Sequence, residues 1–188
     1  MRKFTVSEIT RIGLGVALMT LCSWISVPTA VPFTLQTFAV CLLSALFGLK
    51  AGLGTVVCYI LLGAFGVPVF SGFRGCIGVL LGSTGGYIAG FLLTAVVVGF
   101  SVERFGRSLP VLTVSMAVGI LLCYLFGTVW FLKTYTRTGE PIGLGTVLGW
   151  CVIPYLLPDA VKIALASMLS RRLEPLMRSG NPRKGAPR

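Results

Sequence analysis

The chain has 188 residues, of which 55% are hydrophobic and only 11% are charged, and its formal net charge is +11. Uncharged runs of 23 to 38 residues separate the charged positions. Because a membrane span needs about 20 apolar residues, this pattern predicts an integral membrane protein and excludes a separate soluble domain. The basic residues fall in short connections and the C-terminal tail, not on a face interleaved with aromatic residues, which argues against nucleic-acid binding.

The first half of the chain is predicted to form three helices and one irregular stretch. Pro28 and Pro32 prevent a continuous helix through residues 26–37, and Lys50 with Gly52 marks a tight cytoplasmic turn. The three helices are expected over about Ile9 to Val27, Phe38 to Leu49 and Leu53 to Gly66.

The second half begins with another irregular stretch, the glycine- and proline-rich residues 66–87. We expect helix 4 over about Gly85 to Val102, helix 5 over about Leu109 to Leu132, a short helical approach at 144–153, and helix 6 over about Pro158 to Arg172. Residues 1–172 thus form a single membrane domain. Residues 173–188 are basic and contain proline and glycine, which favours a disordered cytoplasmic tail.

Six spans place both termini on the same side of the membrane. If the N-terminus is cytoplasmic, the inside segments carry 12 of the 16 Lys and Arg residues, the outside loops carry three, and Lys162 is left within a span. Cytoplasmic connections are enriched in Lys and Arg. We therefore predict an all-α bundle of six transmembrane helices with both termini cytoplasmic, in which both irregular stretches and the start of helix 6 meet at the outer side.

Two opposite charges interrupt the last apolar segment. Asp159 and Lys162 are three residues apart and share one helix face, and each alone would cost roughly 2.5 to 3.5 kcal/mol at a bilayer centre on insertion scales. Proline fits the first turn of a helix, so a helix that starts at Pro158 would place the pair near free N–H groups. We interpret the pair as a binding site for a small polar solute; the alternative is an ion pair that only locks two helices together.

Four motifs resemble those of one known family. They are VPFTLQTF at 31–38, GVPVFSGF at 66–73, GSTGGYIAGF at 82–91 and VIPYLLPDAVKIAL at 152–165. In this order and spacing they resemble the BioY family, the biotin-specific substrate-binding (S) component of energy-coupling-factor (ECF) transporters, over about residues 5–172. The resemblance implies a six-helix S component in a bacterial cell membrane. Such a component binds biotin on the outer side and works with a transmembrane coupling (T) component and two cytoplasmic ATPases, without a cofactor.

The resemblance also implies which residues bind the substrate. Asp159 and Lys162 match the family's D-x-x-K, and we expect the carboxylate to accept from a ureido N–H while the ammonium binds the ureido oxygen or the carboxylate of biotin. The remaining expected binding residues are Gln36 of the TLQT lid, Thr84, Gly85 and Tyr87 of the TGGY segment, and the apolar walls Phe33 and Phe70. For Gln36 the alternative is a polar residue at the membrane interface, and for the glycines it is close packing at a helix start.

The sequence departs from the family's pattern between helices 3 and 4. Ser83 stands where proline is expected. The family is expected to use an amide side chain in this loop, yet no Asn lies between Gly66 and Tyr87. Arg74 is a candidate replacement that would steer an anionic ligand; the alternative is a solvated loop charge.

Helix 1 carries the expected docking surface for the coupling component. Gly13 and Ala17 are four residues apart on one face, and small residues at that spacing let membrane helices approach closely. They resemble the family's A-x-x-x-A docking pattern, and internal packing is the alternative.

The sequence argues against an enzyme. The chain has no phosphate loop of the type G-x-x-x-x-G-K-[ST], it has no histidine, and it has a single intramembrane acid. The alternatives to a biotin S component are an S component for a different vitamin and a structural membrane subunit with no substrate.

Overall fold

The computed structural model describes residues 5–29, 31–138 and 143–179. Seven helices and one short β-hairpin account for most of this part of the chain. Their bounds are α1 Val6–Trp24, β1 Ser26–Val27, β2 Phe33–Thr34, α2 Gln36–Ala64, α3 Ile77–Leu81, α4 Gly85–Phe105, α5 Leu109–Thr138, α6 Leu144–Cys151 and α7 Ile153–Ser179. Five of the described segments are long and apolar enough to cross a membrane, the last of them comprising α6 and most of α7, which confirms an all-α, multi-pass membrane protein.

Helix α2 reverses direction at Gly48. Its 29 residues would extend about 43 Å if straight, at 1.5 Å per residue, well beyond a hydrocarbon core of about 30 Å. Gly48 has φ +77°, a conformation that favours glycine, and residues on its two sides face each other, since a Cβ on Gly52 would lie 2.8 Å from the Cα of Ser44. The segments 36–47 and 49–64 are therefore two antiparallel arms, so the described chain makes six passes.

Several predicted boundaries are wrong. Helix α1 ends at Trp24, and the residues after it pair as a small antiparallel hairpin that joins β1 to β2. Helix α5 continues past the expected end at Leu132 to Thr138, and a five-residue helix, α3, interrupts the irregular stretch predicted over residues 66–87. The last helix continues past the expected end at Arg172 to Ser179; residues 180–188 of the predicted tail lie outside the described part.

One end of the bundle is held together by charged side chains, and we call it the charged end. Glu8 and Thr5 form a capping box that starts α1, and Glu8 also pairs with Lys50 at 3.0 Å. Arg107 donates to the carbonyl of Ala45 at 3.0 Å and to that of Leu46 at 3.2 Å, so it satisfies carbonyls at the end of the first arm of α2. These bonds connect α1, α2 and the α4–α5 turn.

The opposite end, which we call the loop end, brings the β-hairpin, the 65–84 loop and the first turn of α7 together. The Ser23 hydroxyl donates to the carbonyl of Val69 at 2.5 Å, and the Trp24 indole donates to the carbonyl of Pro68 at 2.9 Å. The Thr29 and Tyr155 hydroxyls are 2.7 Å apart. The last turn of α1 is therefore bonded to the 65–84 loop, and the chain after α1 is bonded to α7.

Candidate functional site

Asp159 and Lys162 form a buried ion pair on α7. The Lys162 Nζ lies 2.7 Å from the Asp159 Oδ1, and the two residues are only 6% and 3% exposed. Because α7 begins at Ile153 and contains Pro158 inside it, the predicted helix start at Pro158 is wrong. The pair sits in the second and third turns, beyond the free N–H groups of the helix start, which removes the predicted contribution of the helix terminus.

The ammonium of Lys162 joins α7 to the loop end. Besides Asp159, it donates to the carbonyl of Thr34 on β2 at 2.7 Å and to the Thr37 hydroxyl at 3.2 Å. It also lies 4.1 Å from the centroid of the Phe33 ring, a cation–π distance. A lysine ammonium has three N–H donors, so all three are used by protein groups in this conformation.

The carboxylate of Asp159 is equally well engaged. Its Oδ1 accepts from the Thr37 hydroxyl at 3.1 Å as well as from Lys162, and its Oδ2 accepts from the Tyr124 hydroxyl. Tyr124 lies in the apolar run of α5 and was not predicted as a site residue. The signal that could have found it is that a tyrosine buried within a membrane span needs a hydrogen-bond partner.

Gln36 lies beside the pair but bonds to other groups. Its amide donates to the Tyr59 hydroxyl at 2.6 Å and accepts from the Thr34 hydroxyl at 2.9 Å, while Tyr59 donates to the carbonyl of Val69 at 2.8 Å. Gln36 is 6% exposed, so it is a buried member of a network and does not lie at an exposed interface. The network ties β2, α2 and the 65–84 loop to one another.

The two predicted aromatic walls are separated. Phe33 covers Lys162, and its ring lies 6.0 Å from that of Tyr155. Phe70 instead packs in the core: its ring is 5.5 Å from that of Tyr59, and a Cβ added to Gly63 would come within 2.0 Å of it. The structure therefore places Phe33 against the pair, whereas Phe70 packs against Tyr59 of the Gln36 network.

The TGGY segment forms the start of α4. Thr84 occupies the cap position without a side-chain capping bond, and Gly85 is packed so tightly that a Cβ would come within 1.7 Å of the carbonyl of Leu80. This packing favours the alternative in which Gly85 allows close packing at the start of a helix. The Tyr87 hydroxyl lies 3.2 Å from that of Thr128, which is one turn beyond Tyr124 on α5. Tyr87 is thus bonded to the helix that carries Tyr124.

The three remaining residues singled out from the sequence are all exposed. Gly13 and Ala17 lie on the outer face of α1, and a Cβ on Gly13 would meet no atom within 4 Å, so the structure does not pack them inside the bundle. Arg74 lies in the 65–84 loop, and its Nε donates to the carbonyl of Ser71 at 3.2 Å. Their roles in docking and ligand steering stay predictions.

Comparison with known proteins supports the motif-based resemblance over the whole membrane domain. The BioY family matches residues 1–179. The "Biotin transporter BioY" of Thermotoga maritima is 37% identical over 90% of this chain and 96% of its own length, and the "Probable biotin transporter BioY" of Pyrococcus horikoshii is 37% identical over 89% and 96%.

A solved structure shares the fold. The crystal structure of the S component for biotin from an ECF-type ABC transporter superposes with a TM-score of 0.81, covering 92% of this chain and 95% of that one at 22% identity. The structure supports the fold, and the family match and the sequence relatives show that the chain belongs to the BioY family.

Proposed function

We propose that this chain is the biotin-binding membrane subunit of an ECF-type vitamin uptake transporter. The observation that carries the proposal is the buried Asp159–Lys162 pair of a six-pass bundle whose full-length relatives are named biotin transporters. Ionised residues inside membrane segments are costly and mark solute or ion sites more often than structural ones. The role of the chain is therefore to bind a substrate, not to transform one.

The neutral pair fits the ureido ring of biotin better than its carboxylate. The ureido group offers N–H donors and one oxygen acceptor, which match the acceptor Asp159 and the donor Lys162. A biotin carboxylate placed against an already balanced pair would add an uncompensated buried charge, and uncompensated buried charges are strongly unfavourable. The ring system should enter first, with the carboxylate tail towards the loop end.

Entry of the ligand requires an exchange of hydrogen bonds. Since the three Lys162 donors are used by Asp159, Thr34 and Thr37, a ligand oxygen must replace one of them. The Thr34 carbonyl belongs to β2 of the loop-end hairpin, so its release would move that hairpin. In this proposal the hairpin is the lid, and Gln36 positions it through the Thr34 hydroxyl.

The energy for uptake would come from partner subunits. The sequence has no nucleotide-binding phosphate loop, so a coupling component and two cytoplasmic ATPases would supply it. The exposed Gly13 and Ala17 face of α1 is the surface proposed for the coupling component. The loop end would face outward and the charged end inward, with both termini cytoplasmic, as the distribution of Lys and Arg predicts.

Titration calorimetry of the purified protein tests the proposal. Biotin should bind, and riboflavin and thiamine should not. Biotin amide, which lacks the carboxylate charge, should bind nearly as well as biotin, whereas an N-methylated ureido ring should bind much more weakly. Binding of another vitamin in place of biotin would assign a different substrate, and strong dependence on the carboxylate would reverse the orientation of the ligand.

A further inference from the structure

A surface groove of about 370 Å³ lies between α4 and α5 at the charged end. It is lined by Val97, Ser101 and Phe105 of α4 and by Pro110, Val114 and Val118 of α5, among others. The lining extends eight residues along each helix, from Val97 to Phe105 on α4 and from Pro110 to Val118 on α5. At 1.5 Å per residue, the groove is about 12 Å long. This is close to the depth of one leaflet, which is half of a hydrocarbon core of about 30 Å.

The groove opens onto the surface of the bundle that faces the membrane. Phe105, Val114 and Val118 are 67%, 62% and 43% exposed, although they lie within or beside apolar spans. Among the described elements, α1 packs on α2 and on β2 of the hairpin, α4 packs on α2 and α5, and α5 also packs on α7. The groove is thus built from helices other than the one that carries Gly13 and Ala17.

A cation lies at the charged end of this groove. Arg104 follows Ser101 by three residues and Val97 by seven, so it shares their face of α4. Within the described part of the chain, the exposed Arg104 makes no hydrogen bond or ion pair. Its neighbours differ: Glu103 accepts from the backbone N–H of Leu49 at 2.9 Å, and Arg107 donates to carbonyls of α2.

We propose that the groove holds an acyl chain of an anionic phospholipid whose headgroup lies against Arg104. The apolar lining matches a hydrocarbon chain, and a guanidinium forms strong charge-assisted hydrogen bonds with a phosphate. Basic pockets between membrane helices on the cytoplasmic side bind anionic headgroups. A zwitterionic lipid would fill the same groove without the net attraction, so the preference for anionic lipid depends on Arg104.

Fluorescence quenching by brominated lipids in reconstituted vesicles tests this site. Phe105→Trp places a reporter in the groove, and Phe100→Trp places a matched reporter on another exposed position of α4. The signal of the three native tryptophans is subtracted with the parent protein. Brominated phosphatidylglycerol should associate with Phe105→Trp about five-fold more strongly than brominated phosphatidylcholine, and Phe100→Trp should show no preference.

The charge is tested by adding Arg104→Gln to each reporter. The substitution should abolish the preference at position 105 and leave position 100 unchanged. Equal quenching by both lipids at position 105, or a preference that survives Arg104→Gln, would overturn the proposal. Protection of position 105 from both lipids would also overturn it, because a second copy of the chain would then cover the groove.

Discussion

Neutralising one member of the Asp159–Lys162 pair should destabilise the protein as well as abolish biotin binding. Lys162→Met leaves the Asp159 carboxylate buried, with only the hydroxyl donors Thr37 and Tyr124. Asp159→Asn leaves a buried ammonium with the Thr34 carbonyl and Thr37. Removing one partner of a buried pair typically costs about 3 to 5 kcal/mol, which is roughly 6 to 20 °C in melting temperature for a chain of this size.

The double variant separates the two interpretations of the pair. Combined, Asp159→Asn and Lys162→Met remove both charges, and the new amide can still accept from Tyr124 and donate to Thr37. Replacing a whole buried pair by uncharged groups is often neutral for stability, so the double variant should recover most of the lost melting temperature. It should not recover biotin binding, because the ligand has lost both of its charged partners.

Thermal unfolding in mild detergent and biotin titration calorimetry measure the two effects separately. If the double variant regains biotin binding together with stability, the pair only locks helices and the ligand site lies elsewhere. If both single variants melt within about 2 °C of the parent and bind biotin normally, the pair neither stabilises the bundle nor binds the ligand.

Three further predictions concern the rest of the site, the docking face and the orientation. Tyr124→Phe should weaken biotin binding at least about ten-fold, since it removes a charged-group hydrogen bond worth roughly 1.5 to 3 kcal/mol and about 1.4 kcal/mol is a factor of ten. The buried hydroxyl variant Thr94→Val should leave the biotin affinity unchanged, and equal losses in both variants would indicate general destabilisation. Gly13→Trp should abolish co-purification with the coupling component while biotin binding persists; loss of binding would show that this face packs internally. In intact cells a membrane-impermeant maleimide should label the exposed native Cys76, and a cysteine placed at Gly106 should react only after permeabilisation; the reverse pattern would invert the proposed topology.

The sequence alone determined the class of protein, the approximate spans and the ion pair. Long uncharged runs of this kind are stable in the bilayer. Each span must form a helix there, because its backbone N–H and C=O groups find no water and must bond to one another. The Asp159–Lys162 pairing depends on local spacing, because residues three apart on a helix are neighbours wherever the helix lies. The four motifs resembled the BioY family before any geometry was available, and the comparisons confirmed that membership.

Helix boundaries were harder to predict from the sequence near proline and glycine, because the backbone there can either end a helix or continue it. The expected start of the last helix at Pro158 was wrong, because a helix can continue through proline when other groups replace the missing bond. The turn predicted at Lys50 and Gly52 occurs at Gly48, whose positive φ cannot be read from composition. Gln36 begins α2 two residues before the predicted start, because partners from β2 and the second arm satisfy its amide.

Only the tertiary structure decided which residues meet at the pair. Tyr124 and Thr37 are 35 and 122 residues from Asp159 in sequence, and no local pattern relates positions on different helices. Phe33 and Phe70 looked equivalent in their motifs, yet one covers Lys162 and the other packs against Tyr59. Sequence spacing specifies neighbours within one helix, whereas contacts between helices depend on how all of their faces pack together, and that choice is made by the whole bundle.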